Sequence, residues 1–538
     1  MRFPLTSLQK LLLPLGAVLF DFLFWQERAG LNMLLYTVFV LAAVVATLPK
    51  TSLVLRSGYF RAAFLGAIFS GLMVAVYGSF AAYLTCVVSL ALVLGYVNQP
   101  HLKLVGYALL TALGNQLRVV PVLARMLRAP RQVGAKAQRI RFYARLLVLP
   151  VVALGVFHLL FALANPRYAE YAQRAWVAVE EWLAALLPNI SVPHLLFFLL
   201  GLVLTAGALL VVPVHFFADQ ESRFGEFVRR QRDRVASFAV RRPNFQPQSF
   251  RALDLRKEYL VALGLFGLVN ALLLVVNLID IQWIWFGFTP APGFDLTQFV
   301  HEGTYVLILS ILVAMGIVLW FFRRNLNFYA PGLRWLRIGA TVWVVQNGVL
   351  AVSVALRNYY YILHTGLAYK RIGVYGFLLL TFFGLATILL KIWQRRSAYA
   401  LVRLNALAAY GLLLVLAAGN WESWMTRYNL QPRFRRVDYG FLLAMPDRVL
   451  PELAARAGSM PGRQLISEVN GRWIDISWPD AHARLQERLR AFRQLEQRRH
   501  WQSRTYLDSR AYHAIIGLEP TQTATAAPAA ATTSLAHR

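Results

Sequence analysis

EYLVALGLFGLVNALLLVVNLIDIQWIWFGFTPAPGFDLTQFVHEGTYVLILSILVAMGIVLWFF, residues 258–322, runs for 65 residues without a lysine or arginine, in a chain that carries 55 of them against 25 acids. So long a stretch free of positive charge in so basic a protein reads as two apolar spans joined by a loop on the exported side of a membrane, because lysine and arginine are retained on the cytoplasmic side. The joining loop holds Asp280, Asp295, His301 and Glu302.

Composition agrees. Hydrophobic residues make up 58% of the chain, aromatics 13% and charged residues 15%, far from the roughly 25% charged residues of a soluble domain. Apolar runs of about 18 to 23 residues match the roughly 20 that a helix needs to cross a bilayer core of about 30 Å. A net charge of +30 would suggest nucleic acid in a soluble protein. Here the bases gather in loops beside the spans, where anionic headgroups account for them and nucleic acid is not implied. Cys86 is the sole cysteine, so neither a disulfide nor a thiolate metal cluster can form within one chain. The first 25 residues lack a small-residue cleavage site and read as a retained span.

Spans are expected near residues 8–25, 31–49, 62–78, 80–97, 146–165, 194–216, 259–279, 303–322, 338–356, 372–394 and 400–419. The fold class is thus an all-α integral membrane protein, a bundle of about eleven (ten to twelve) transmembrane helices with a small C-terminal extramembrane appendage. The segment 103–124 is interrupted by Asn115, Gln116, Arg118 and Pro121 and reads as interfacial or re-entrant. Five regions are expected: 1–125, 126–256, a core at 257–430, an appendage at 431–520 and a disordered Ala/Thr/Pro tail at 521–538.

Basic residues cluster between Arg118 and Arg145, between Arg223 and Lys257, at Arg323, Arg324, Arg334 and Arg337, and at Lys391, Arg395, Arg396 and Arg403. These loops are expected in the cytoplasm, with the amino terminus inside and the chain after Asn420 outside. Arg357, Lys370 and Arg371 then fall in an exported loop, 357–371, and need partners there. In the appendage, Trp473 to Trp478 alternates like a strand, and Leu485, Leu489, Phe492 and Leu495 recur at helical spacing. That stripe either covers the rest of the appendage or lies against lipid.

Four places could carry chemistry. His301 and Glu302, with Asp295 nearby, sit at the mouth of a span, where a carboxylate is favoured by the helix dipole and the pair could serve as acid and base; the alternative is an interfacial anchor. Adjacent positions point about 100° apart on a helix, so they do not make a paired-ligand face, and no metal or other cofactor is implied. Arg357, Tyr360, Tyr369, Lys370 and Arg371 could hold an anionic lipid or envelope precursor, or close an internal ion-pair network. Gln346 and Asn347 lie mid-span, for interhelical hydrogen bonds or a substrate path, and Asp21 in the first span is comparable. The run Arg323–Tyr329 needs only anionic lipid to explain it.

An ordered series then becomes familiar: Phe24-Trp25, Gly30-Leu31-Asn32, Trp283 to Phe288, Val300 to Thr304, Phe322 to Asn327, Gln346-Asn347, Arg357 to Tyr360, Gly366 to Gly373 and Tyr428-Asn429. It resembles a bacterial membrane family catalogued as domain of unknown function 4173, most closely over 257–430. The resemblance implies a polytopic bacterial membrane protein and brings no reaction. Two functions stay open. One is a membrane enzyme or carrier handling an anionic amphipathic envelope substrate through His301, Glu302, Arg357, Lys370 and Arg371. The other is a non-catalytic scaffold or sensor that recruits a protein partner, unidentified, through its appendage. Phosphate-cradling loops, nucleophile elbows and paired-histidine motifs are not found in the sequence.

Overall fold

The computed structural model describes residues 5–126, 150, 153–186, 191–229, 252–286, 296–323, 325–469 and 472–517. They form two units, Met1–Val74 with Phe80–Arg223, and Ala75–Ser79 with Phe224–Arg538.

In the first unit, helix α1 (Ser7–Phe24) opens on a capping box in which Thr6 and Gln9 each bond the other's backbone N–H, satisfying donors that a helix start leaves unpaired. The turn into α2 (Leu31–Thr47) is closed by Asn32, fully buried, which donates to the carbonyls of Leu23 and Arg28 and accepts from the N–H groups of Gly30 and Met33. Helices α3 (Gly58–Tyr77), α4 (Phe80–Asn98), α5 (Val105–Met126), α6 (Pro166–Leu186) and α7 (Val192–Leu209) follow. Helix α1 packs on α7 and α2. Cys86 is buried beside Thr37 at 3.4 Å.

The segment expected to be interfacial or re-entrant is one unbroken helix, α5, so the chain does not turn back within it. Its polar residues explain its place. Asn115 donates to the Gly207 carbonyl at 2.8 Å, Gln116 to Val203 at 2.7 Å and Arg118 to Pro213 at 2.7 Å. Asn98, the last residue of α4, reaches Asn115 at 3.2 Å. These partners lie toward the C-terminal ends of α7 and α4. At Gly95 a side chain would run into the Ala108 carbonyl, so the close α4–α5 crossing requires glycine.

The second unit is built around a 33-residue helix, α10 (Leu333–Thr365). It packs against α8 (Ala252–Asp280), α9 (Leu296–Phe321) and α11 (Tyr369–Gln394), and α11 against α12 (Ala398–Ala417). Phe266, Ile311, Phe322, Leu336, Trp343 and Ile392 form its apolar centre. Helix α8 continues through one wider π-helical segment, Ile281–Trp285.

Beyond α12 come α13 (Trp421–Asn429), β1 (Arg436–Asp438), α14 (Tyr439–Ala444), α15 (Leu450–Ala455), β2 (Gln464–Val469), β3 (Arg472–Ile476), α16 (Trp478–Arg498) and α17 (Tyr506–Gly517). The strands make a small sheet in the order β1-β2-β3, the first pair parallel and the second antiparallel. The expected alternating strand is β3, but it ends at Ile476, because Ser477 accepts from the Asp480 N–H and caps the helix that Trp478 begins. Leu485, Leu489 and Phe492 enter the appendage core, whereas Leu495 is 36% exposed. The apolar stripe of α16 therefore covers the appendage rather than lipid.

Every expected span finds a helix. Among the described residues eight helices are long and apolar enough to cross a membrane, and Leu31–Thr47, Ala153–Ala164 and Tyr305–Phe321 are shorter apolar helices. The chain is a polytopic helical membrane protein. Two boundaries differ from expectation. The loop expected at 357–371 shrinks to the three residues between Thr365 and Tyr369, since Arg357 to Thr365 extend α10. The appendage does not begin at 431: Met425 of α13 and Ile362 and Leu367 of the α10–α11 turn share its core. The tail 521–538, expected to be disordered, lies outside the described residues.

Candidate functional site

Helices α8 and α10 share a polar seam that starts from a backbone carbonyl. Asn270 donates to the Gly339 oxygen at 2.9 Å, and this fixes the orientation of its amide. Its free oxygen then accepts from Gln346 Nε2 at 2.9 Å, and the Gln346 carbonyl accepts from Asn277 at 3.1 Å. At the far end Arg357 and Asp280 form an ion pair at 2.7 Å, their side chains 10% and 5% exposed. The π-helical segment turns Trp285 so that its indole N–H reaches Ser353 at 3.0 Å. Residue numbers rise together along both helices, so they run parallel. Asn347, adjacent to Gln346, instead bonds the Trp343 carbonyl of its own helix.

Past Arg357 the seam gives way to a joint between the spans and the appendage. Gly366 adopts φ +85°, a left-handed conformation that favours glycine, and a side chain there would strike the Asn429 amide. Asn429 clasps Leu367, accepting from its N–H at 2.5 Å and donating to its carbonyl at 2.8 Å. Arg371 donates to the carbonyls of Thr365, at 3.2 Å, and Gly366, and lies over the Tyr361 ring at 4.4 Å. Asn358 donates to the Arg371 carbonyl at 3.0 Å. Tyr369 donates to Glu422 at 3.1 Å, and Arg448 pairs with the same carboxylate at 2.8 Å, almost fully buried. Three segments distant in sequence are thereby fastened at one turn.

In the appendage, burial pushes the Tyr439 hydroxyl up to about 12, and that hydroxyl finds no hydrogen-bond partner among the described residues. Burial also raises Asp438, partly offset by the Phe441 N–H that it caps at 2.9 Å.

The other expected residues are distributed as follows. Asp295 lies outside the described residues; the backbones of His301 and Glu302 are helical, near the start of α9, and their side chains are outside what is described. Tyr360 is on α10, its ring 5.7 Å from Tyr359. Lys370 is exposed in the first turn of α11. The structure thus brings Tyr369 and Arg371 to one joint, sets Arg357 in an ion pair with Asp280, and leaves Gln346 in the seam. Asp21 meets His194, whose Nε2 is 2.9 Å from both carboxylate oxygens, with Trp25 stacked on the imidazole at 4.2 Å. Among the described residues no cluster of His, Cys, Asp and Glu could hold a metal ion.

Sequence reasoning did not foresee Glu422, Arg448 and Asn429 as parts of the joint, nor Asp280 as the partner of Arg357. The second pairing left a signal. Asp280 is the first charged residue after Glu258, and Arg357 the first after Arg337, so each ends an uncharged span.

The family model named Domain of unknown function (DUF4153) matches residues 60–455, and the chain belongs to that family. The expectation of an uncharacterised membrane family therefore holds, but its number is corrected from 4173. Aromatic and amide combinations in apolar spans do not by themselves separate one multi-span family from another, and Phe24 to Asn32 lie before the matched range. No curated protein and no solved structure matches the chain.

Proposed function

We propose that this protein is a non-catalytic membrane scaffold or sensor, in which a span bundle holds an exported appendage in fixed register and the appendage recruits a partner. The observation that carries this reading is the pairing of the residues a ligand would need. Arg357 neutralises Asp280, Arg371 binds the carbonyls of its own turn, and Tyr369 shares Glu422 with Arg448. Groups engaged in this way position a backbone; they are poorly placed to exchange partners with a substrate.

The accompanying topology is a bacterial inner-membrane protein with a cytoplasmic amino terminus and an exported appendage. Three contacts support it. Glu226 pairs with Arg403 at 2.6 Å, and Phe227 bridges to Arg396, so two loops assigned to the cytoplasm by their bases meet. Asp21 and His194, at span ends assigned to the outside, also meet. Reporter fusions at Gly225 and Gly293 should register opposite sides of the membrane; the same side for both would overturn the assignment.

A membrane enzyme or carrier acting on an anionic amphipathic envelope substrate is the second reading, favoured by the exposure of Lys370 beside the joint. Arg357→Ala separates the two. The scaffold predicts a variant that loses its cooperative unfolding transition, because a buried carboxylate is left uncompensated. An enzyme or carrier predicts a folded variant that no longer retains an envelope lipid in native mass spectrometry.

A further inference from the structure

The appendage contains a cleft with a surplus of arginine immediately after the last span. Helix α12 ends at Ala417, and three residues later Asn420 opens α13 and lines a cavity of about 210 Å3 together with Ser423, Arg427, Arg448, Glu452 and Arg510. Its walls are α13, α15 and α17, all within the second unit.

The charges in and beside the cleft do not balance. Glu452 is shared by Arg427 at 3.0 Å and Arg456 at 2.9 Å. Glu422, behind the wall, is shared by Arg448 at 2.8 Å and Tyr369 at 3.1 Å. Each carboxylate is thus committed to two donors. Arg510, exposed at the cleft, has no hydrogen bond or ion pair among the described residues, and the Nε of buried Arg448 has no hydrogen-bond partner there. At the start of α13 the Asn420 side chain does not cap the helix, so the backbone donors of that first turn, with the positive end of the helix dipole, add to the same sign of potential.

We propose that this cleft binds a phosphate group. Fork-shaped guanidinium donors match tetrahedral oxyanions, and Ser423 adds a neutral hydroxyl donor. Size limits the ligand, because the cavity is smaller than the roughly 300–1,000 Å3 of a site for an extended small molecule. A headgroup or a free anion fits; a whole amphiphile does not. Adjacency to the end of α12 favours the headgroup of an anionic phospholipid in the leaflet facing the appendage, with its acyl chains left in the bilayer. The inference extends the scaffold reading, since a bound headgroup would hold the appendage against the membrane surface, but it does not depend on it.

The test uses full-length protein, delipidated in mild detergent, titrated with phosphatidylglycerol or with inorganic phosphate and read by native mass spectrometry. Arg510→Gln is the variant, because Arg510 supports no ion pair whose loss would unfold the appendage. The expected result is phosphatidylglycerol binding that weakens about tenfold in Arg510→Gln, recovers partly in Arg510→Lys and resists competition by inorganic phosphate. Equal binding of inorganic phosphate, also lost in Arg510→Gln, would keep the phosphate site and make free phosphate its ligand. Identical lipid and phosphate binding by wild type and Arg510→Gln, or no binding by a folded wild type, would overturn the proposal.

Discussion

Arg357 occupies a span end where a single cation in apolar surroundings would be costly, and Asp280 makes it tolerable. A buried pair is more easily broken than replaced. Arg357→Met should therefore cost about 3–5 kcal/mol, whereas adding Asp280→Leu should restore most of that loss. Denaturation of both variants in the same detergent checks this; a double variant as unstable as the single one would contradict it. Glu496, on α16, gives a pH prediction. Burial raises its pKa above the ordinary carboxylate value, with Arg499 at 2.8 Å acting in the opposite direction. A carboxyl whose folded pKa exceeds its unfolded one holds its proton more tightly in the folded state. It therefore opposes folding above that pKa and ceases to do so as the pH falls toward the unfolded value. The appendage should gain stability between neutral and mildly acidic pH, and Glu496→Gln should flatten that part of the profile in thermal melts.

At the scale of elements, α10 decides the arrangement. Its 33 residues extend about 50 Å at 1.5 Å per residue, well beyond a bilayer core of about 30 Å, and the excess reaches the appendage core at Ile362. The sequence conveyed the span but not this extension, because Arg357, Asn358 and three consecutive tyrosines look like a loop until Asp280 and the Arg371 carbonyl are seen to satisfy them. The pairing of α8 with α10 was legible only as a requirement: Gln346 had to find a partner on another helix, and Asn270 is that partner. Asn270→Leu should cost about 1 kcal/mol by stranding the Gln346 amide, and Asn270→Leu with Gln346→Leu should cost less than the two single changes together. Additive losses in denaturant titrations would remove the seam from the account.

For the whole molecule, hydropathy carried the most information, since every expected span corresponds to a helix, and the spacing of Leu485, Leu489 and Phe492 marked the face that α16 buries in the appendage. The joint was less legible because its members, Gly366, Tyr369, Arg371, Glu422, Asn429 and Arg448, come from three separated segments, and no local period relates them. His301 and Glu302 drew attention as an adjacent pair, and their side chains lie outside the described residues. The turn that Asn429 clasps joins spans and appendage into one folding piece. The most direct measurement is hydrogen–deuterium exchange on full-length protein in lipid nanodiscs, comparing wild type with Asn429→Ala. Exchange should rise together across residues 362–372, α13 and α14, because one cooperative unit has been loosened. A rise confined to the residues beside position 429, with α14 unchanged, would mean that the appendage stands by itself and would contradict this cooperativity.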